Sequence, residues 1–515
     1  MSEPRQVNPW IIAISVMFAT FMEVLDTTVV NVSLPHIAGS LSVTIDEATW
    51  VLTSYLVANA IILPMTGWLA SVFGRKRLLM ISVVGFTGAS FLCGLAPNLG
   101  SLIVFRVLQG ATGGALQPLS QAVLLEAFPP HERGKAMGFW GQGIVVAPIL
   151  GPVLGGWLTD NYSWRWVFYI NIPVGIASIV MTKMFIFDPP YLRQEKRRID
   201  YWGLGMLTVG IGALQYVLDK GQEDDWFSSR TIVVLSVIAV VTLTALIVHE
   251  LTTDDPVVDL RVFKSRSYSV GVFLMTVVGF VLYGSLVLLP IMLQTLLGYP
   301  SLQAGIAMAP RGFGAFVMMQ VTGQLTGRMD PRKLLSIGLV VGGVTLYWLS
   351  ELNLQAGYWD IFWPQLVQGA GMSLLFVPLT TVSMDPIPRE RMGNATSLFN
   401  LMRNIGGSVG IAATGTMIAR NNQSTTALLG ANVTAYDPAS QTMFAQLRGA
   451  FMAAGADAAT ATERAYQAMF GMVQRQAAMV SFVGTFQLMA VTFVALIPLV
   501  LLMKRPKGAP VAPAH

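Results

Sequence analysis

Five ionisable side chains stand deep inside long apolar runs of the sequence: Glu23, Asp26, Arg106, Arg311 and Arg403. In hydrocarbon each is costly unless it meets a partner or faces a cavity, so their types point to a function. A carboxylate beside a guanidinium stays ionised, whereas the same group in apolar surroundings takes up a proton. A site that alternates between the two environments loads and releases protons. Asp26 is the expected carrier, with Arg106 tuning it; the alternative is a fixed ion pair that only positions two helices. Glu23 lies three residues before Asp26 and shares its helix face. It is either a second, coupled titrating group or a substrate-facing one. Arg311 and Arg403 have no deep carboxylate in their half of the chain. They are candidate contacts for anionic, lipophilic compounds, unless helix carbonyls or the facing half satisfy them. Asn31 and Gln117 complete the substrate-cavity candidates.

The elements that hold these groups must be membrane helices. Of 515 residues, 54% are hydrophobic and only 11% charged, with a mean hydropathy of +0.60. Soluble domains carry about 25% charged residues, so an ordinary soluble enzyme is excluded. So apolar a chain is not disordered either. The single cysteine, Cys93, and four scattered histidines exclude a disulfide framework and argue against a metal cluster. The formal charge of +5 does not indicate nucleic acid, because the basic residues sit in short loops.

Fourteen segments reach the length of roughly 20 apolar residues that a bilayer requires. Six lie between 10 and 187, two near 200–219 and 230–250, and six between 268 and 503. Residues 136–158 form the fifth, and 302–324 and 394–418 are among the last six. Counted inward from Trp10, Asp26 stands roughly 24 Å up a core about 30 Å thick, and Arg106 roughly 21 Å up. The two are therefore expected at one height. Basic clusters occupy alternate loops, among them Arg75, Lys76 and Arg77; Arg193 to Arg198; and Arg328, Arg332 and Lys333. Positive charge marks the cytoplasmic side, which places both termini there. The first segment is too long for a signal peptide and is read as a retained helix.

The sequence also repeats weakly. Gly67 to Leu79 and Gly323 to Leu335 align in glycine, leucine, a basic cluster and a Leu-Leu pair. Two six-helix halves with two inserted helices follow as the simplest plan. The expected divisions are 1–190, 191–262 and 263–515, the last with a long external segment at about 419–479. Within that segment Met443, Leu447 and Phe451, and likewise Tyr466, Phe470 and Val473, fall on helix faces. No phosphate-binding loop and no zinc-protease helix motif occurs, so ATP hydrolysis and metalloenzyme chemistry are not expected.

Several segments together resemble the major facilitator superfamily, specifically its fourteen-helix drug:proton antiporters. Leu25-Asp-Thr-Thr-Val-Val-Asn-Val-Ser-Leu-Pro35 is similar to that group's first-helix motif, and Arg106-Val-Leu-Gln-Gly110 to its fourth-helix motif. Gly67 to Leu79 resembles the superfamily loop motif, except that Ser71 and Val72 stand where an acidic residue and an arginine are usual. Ala147 to Gly156 resembles the fifth-helix antiporter motif, giving Pro148, Gly151, Pro152, Gly155 and Gly156 the role of a flexible, tightly packed helix. Trp164 to Pro173 is also typical of that group, and Leu218 to Ser229 and Pro256 to Ser265 resemble the Emr-type inner-membrane subunits in particular. The resemblance implies an all-α major facilitator fold in a bacterial inner membrane. It implies a multidrug efflux antiporter without a cofactor, driven by the proton gradient. It further implies lipophilic substrates, a periplasmic adaptor (membrane fusion protein) and an outer-membrane channel. An importer or facilitator on the same fold is the alternative.

Overall fold

The structure, a computed structural model, describes residues 8–188, 200–434 and 436–504. Among these residues every regular element is a helix. In chain order they are α1 (Pro9–Leu41), α2 (Ile45–Phe73), α3 (Arg75–Leu95), α4 (Leu99–Gly113), α5 (Leu116–Ala127), α6 (Arg133–Asn161), α7 (Trp166–Tyr169) and α8 (Asn171–Phe185). Next come α9 (Tyr201–Lys220), α10 (Arg230–Thr252), α11 (Arg266–Thr295), α12 (Ser301–Thr326) and α13 (Pro331–Ser350). The last are α14 (Tyr358–Met384), α15 (Met392–Asn432), α16 (Pro438–Ala453), α17 (Ala458–Ala495) and α18 (Ile497–Val500). The basic group Arg193 to Arg198 lies outside the described residues.

The sequence specifies many of these ends. Thr44 and Glu47 form a reciprocal cap on α2, and Asn98 caps α4. Asp200, Asp330, Asp437 and Asp457 each accept backbone N–H groups at a helix start. Such caps satisfy amides that lipid could not. One expected span is broken: α4 and α5 part at Gly114, where an added Cβ would lie 2.6 Å from the Asn59 carbonyl oxygen. The backbones of α4 and α2 touch there.

Twelve helices among the described residues are long and apolar enough to cross a membrane. Two expected spans, α12 and α15, are long enough but less apolar. The reason is shielding: α12 lies between α14 and α6, and α15 between α11, α17 and α2. Helix α10 shows the opposite case. Val234, Val237, Val240, Val241 and Val248 are all about half or more exposed, as befits a lipid-facing surface. It pairs with α9, which rests on α2 and α15.

At the end bearing the basic loops the two halves close together at backbone level. Added Cβ atoms would lie 2.6 Å from the Asn394 Cα at Gly67, and 2.8 Å from the facing carbonyl oxygen at both Gly134 and Gly323. Arg75 pairs with Glu126 and also donates to the Arg389 carbonyl (3.3 Å). Where Ser71 and Val72 depart from the loop motif, Asp259 lines the same cleft as Ser71. It lies 3.6 Å from Arg391 and exchanges hydrogen bonds with Asn394.

The external segment is more regular than its sequence suggests. Helix α15 runs on to Asn432 and α17 starts at Ala458, so both extend far beyond the expected spans. At 1.5 Å per residue the 41 residues of α15 measure about 61 Å, twice the hydrocarbon thickness. The expected faces are corrected in detail. Phe444 packs on Tyr466 (4.6 Å between centroids), whereas Met443 is exposed. Ala461 and Ala465 form the buried face of α17, leaving Tyr466 and Phe470 outward.

Helix α6 continues through Pro148 and on to Asn161, and its glycines are not equivalent. Gly151 and Gly155 are buried against α1, where a Cβ would meet the Thr28 side chain and the Val29 carbonyl oxygen (2.9 Å), respectively. Gly156 has nothing within 4 Å. Of Pro152, only its place in the helix is described. Gly155→Val should therefore lower the unfolding temperature in detergent, while Gly156→Val changes stability by less than about 0.5 kcal/mol. Equal losses at the two positions would contradict this packing.

Candidate functional site

Asp26 is wholly buried on α1, and its carboxylate is surrounded by donors. Oδ2 accepts from Arg106 Nη1 at 2.6 Å, and Oδ1 accepts from Gln109 Nε2 at 2.8 Å and Asn171 Nδ2 at 2.6 Å. Arg106 is equally buried. Its Nε donates to the Val51 carbonyl (2.9 Å), its Nη1 also reaches Gln109 Oε1 (2.7 Å), and its guanidinium lies 4.2 Å from the Tyr55 ring centroid. Ser90 on α3 accepts from Gln109 (2.6 Å) and Asn171 (3.3 Å). Helices α1, α2, α3, α4 and α8 thus meet around one charge pair. A buried ion pair needs such donors, since attraction alone does not offset the loss of hydration.

Sequence reasoning named Asp26 and Arg106, and the structure brings them together. It missed Gln109, Asn171, Ser90 and Tyr55. Gln109 and Asn171 nevertheless lie inside two motifs already quoted, Arg106 to Gly110 and Trp164 to Pro173. Single polar residues in apolar spans were the available signal.

Glu23 sits one turn away, nearly buried, and is held differently. Its Oε1 accepts from Asn59 Nδ2 at 3.0 Å, while Oε2 has no partner. Asp26 and Arg403 are both near enough to act on it through their charges. Arg403, on α15, crosses the interface between the halves. Its Nη2 donates to Gln117 Oε1 on α5 at 2.6 Å, and it also reaches Asn404. Two further bonds follow the same helix: Asn400 to Gln121 (2.6 Å) and Thr396 to the Pro118 carbonyl (3.0 Å). Glu23 therefore stands within electrostatic range of both Asp26 and Arg403, and the bonded network around Asp26 stays separate from the one along α15.

Arg311 is placed otherwise. It is 7% exposed on α12, and neither Nη1 nor Nη2 has a hydrogen-bond partner. Asn31 is exposed on α1 and stands apart from the Asp26 cluster. The antiporter-motif helix α6 bears directly on the α1 segment next to Asp26, since Thr28 Oγ1 reaches the Ala147 carbonyl at 3.4 Å. No group of three or more metal-ligating side chains occurs among the described residues. Gly406-Gly407-Ser408-Val409-Gly410 has the spacing of a serine-nucleophile turn. It lies within α15, however, where Ser408 bonds to Gln215 (3.1 Å) instead of standing on a strand-to-helix corner.

These features can be set beside known proteins. Residues 16–411 match the family model for the Major Facilitator Superfamily. The chain is 40% identical over 97% of its length to the multidrug export protein EmrB of Escherichia coli K12, covering 96% of that protein. It is 42% identical to the fatty acid resistance protein FarB of Neisseria gonorrhoeae, over 79% of this chain and 80% of that one. Its fold is similar to that of the proton:xylose symporter XylE, with a TM-score of 0.58 at 17% identity over 81% of this chain and 90% of that one. The human transporter MFSD10 gives a TM-score of 0.60 at 12% identity, covering 95% and 100% respectively. The family match and these relatives mark a transporter rather than an enzyme, one that spans a bacterial inner membrane many times. The chain belongs to the major facilitator superfamily and, within it, to the family of the EmrB multidrug export proteins.

Proposed function

We propose that this protein is a proton-driven multidrug efflux antiporter that moves lipophilic compounds, anionic ones among them, out of the cytoplasm or inner leaflet. The EmrB relatives support export, and FarB supports an acidic lipophilic class of substrate. The reading takes fourteen membrane helices as two bundles of six with α9 and α10 inserted, and both termini cytoplasmic. No cofactor is required, because the proton gradient supplies the energy.

The observation that carries the mechanism is the complete ligation of Asp26. With Arg106, Gln109 and Asn171 bonded, the carboxylate has no reason to bind a proton. If α1 shifts against α4 and α8, the same carboxylate is left in apolar surroundings and must be protonated. Helix α6 transmits such a shift, since Gly151 and Gly155 hold it against Thr28 and Val29. Glu23, in electrostatic range of both Asp26 and Arg403, couples the change to the other half, where the bonds along α15 open and close access to the midplane. A proton entering from outside favours one arrangement and substrate the other, which is antiport. Glu23 serves as the second titrating group of the coupled pair.

An internal pH dye in proteoliposomes tests the coupling. Substrate addition is expected to release protons with the native protein and not with Asp26→Asn. Full coupling in Asp26→Asn moves the carrier role to Glu23, and substrate movement without proton flux in the native protein overturns antiport altogether.

The helical extension of α15, α16 and α17 is the natural seat for a periplasmic adaptor leading to an outer-membrane channel. Leu428 (67%), Tyr436 (92%) and Phe470 (56%) stand exposed on it. Taken together as one docking patch, they would be covered by the adaptor. Replacing all three with serine should abolish drug resistance of whole cells while leaving transport in proteoliposomes unchanged. Parallel loss of both, or of neither, would remove the adaptor from this surface.

A further inference from the structure

The two halves of the molecule carry the same polar scaffold with different charges. In the first half α4 presses onto α2 at two points four residues apart. A Cβ at Gly110 would collide with the Tyr55 carbonyl oxygen, and one at Gly114 would lie 2.6 Å from that of Asn59. In the second half α14 presses onto α12 with the same spacing. A Cβ at Gly369 would collide with the Arg311 carbonyl oxygen, and Ser373 Oγ donates to the Ala315 carbonyl at 2.9 Å. Arg311 is therefore the counterpart of Tyr55. By the same register Gln365-Leu-Val-Gln-Gly369 is the counterpart of Arg106-Val-Leu-Gln-Gly110, so Gln365 replaces Arg106 and Gln368 matches Gln109.

In the first half this scaffold encloses a carboxylate, because Arg106 and Gln109 both donate to Asp26. The second half keeps the cation, moved from one helix to its neighbour, but not the acid. Helix α11, which packs there as α1 does in the first half, contains no aspartate or glutamate between Arg266 and Thr295. The hydrogen-bonding groups are correspondingly idle. Arg311 Nη1 and Nη2, Gln368 Nε2 and Gln365 Oε1 are all buried without partners, and Gln365 is bonded only weakly to Gln368, at 3.3 Å. Four unmatched polar atoms on buried, facing helices are costly, and an isolated guanidinium is the costliest of them. Arg403 differs, since Gln117 and Asn404 already occupy it.

We propose that Arg311, Gln368 and Gln365 form a binding site for one monovalent anionic group within the second bundle, filling the place that Asp26 holds in the first. Arg311 presents two N–H groups and Gln368 a third, a donor set suited to a carboxylate or a halide. Rotation of the Gln365 amide adds a fourth. The group comes either from the carboxylate of a transported compound or from chloride in the medium. The carboxylate source rests on the efflux reading above; the chloride source does not.

The test uses the full-length protein in lipid nanodiscs, with sodium sulfate as background at constant ionic strength. Thermal unfolding is followed while sodium chloride or sodium benzoate is titrated, with neutral benzamide as the control. Native protein should show a saturable rise in Tm with at least one of the two anions and none with benzamide. Arg311→Gln should abolish that rise, and Gln368→Leu should weaken the apparent affinity about tenfold, as loss of a hydrogen bond to charge implies. Arg311→Lys, which keeps the charge, should retain part of the response, and Arg403→Gln should retain all of it. A response to benzoate alone identifies the substrate's carboxylate as the occupant, and a response to chloride alone identifies a resident inorganic ion. No saturable response in the native protein, or equal responses in native protein and Arg311→Gln, overturns the site. Failure of proton-coupled transport with the anion response intact would instead count against the efflux reading.

Discussion

The buried ion pair between Asp26 and Arg106 is the constraint around which the first half of the molecule is arranged. A charge pair with no exposure to solvent needs hydrogen bonds in place of water; α2, α4 and α8 supply them to the pair, and Ser90 on α3 holds Gln109 and Asn171 in place. Removing either charge leaves the other uncompensated, which costs about 3–5 kcal/mol in buried pairs. In the antiport reading proposed above, a proton on Asp26 weakens the contact that joins these helices, so that one titration rearranges them.

The second half makes sense as a variation on this theme. It retains the backbone contacts of the repeat, Gly369 on Arg311 matching Gly110 on Tyr55, but carries an unmatched cation where the first half carries a neutral pair. Between the halves, Thr396, Asn400 and Arg403 on α15 form polar bonds with α5. Polar bonds of this kind suit a surface that must part and re-form, because water or substrate can replace each of them. Backbone-level glycine contacts at Gly67, Gly134 and Gly323 seal the end with the basic loops.

Much of this was legible in the sequence where one strong physical rule acted alone. Apolar length located the helices, and the height of Asp26 and Arg106 placed them together, because few ionisable groups share one level of a bilayer. Partners were less legible. Gln109, Asn171 and Ser90 are ordinary polar residues whose convergence depends on helix rotation, which hydropathy does not report. Arg403 was readable as a deep cation, but its bond to Gln117 spans 286 positions of chain. Helices α12 and α15 were found by length although their neighbours allow them to be less apolar than the rest. The faces of the long extension were legible only in part: Leu447 and Phe451 are half-buried as expected, but Met443 and Phe470 are exposed and the small Ala461 and Ala465 form the buried side of α17.

The central claim is that Asp26 changes protonation state when the helices around it rearrange. Infrared difference spectroscopy on the purified protein in lipid, stepping the pH with and without substrate, reads this directly in the carboxyl C=O stretch. The account predicts a protonation band in the native protein that shifts its midpoint when substrate binds and that disappears in Asp26→Asn. A band that survives unchanged in Asp26→Asn, and vanishes instead in Glu23→Gln, would contradict it.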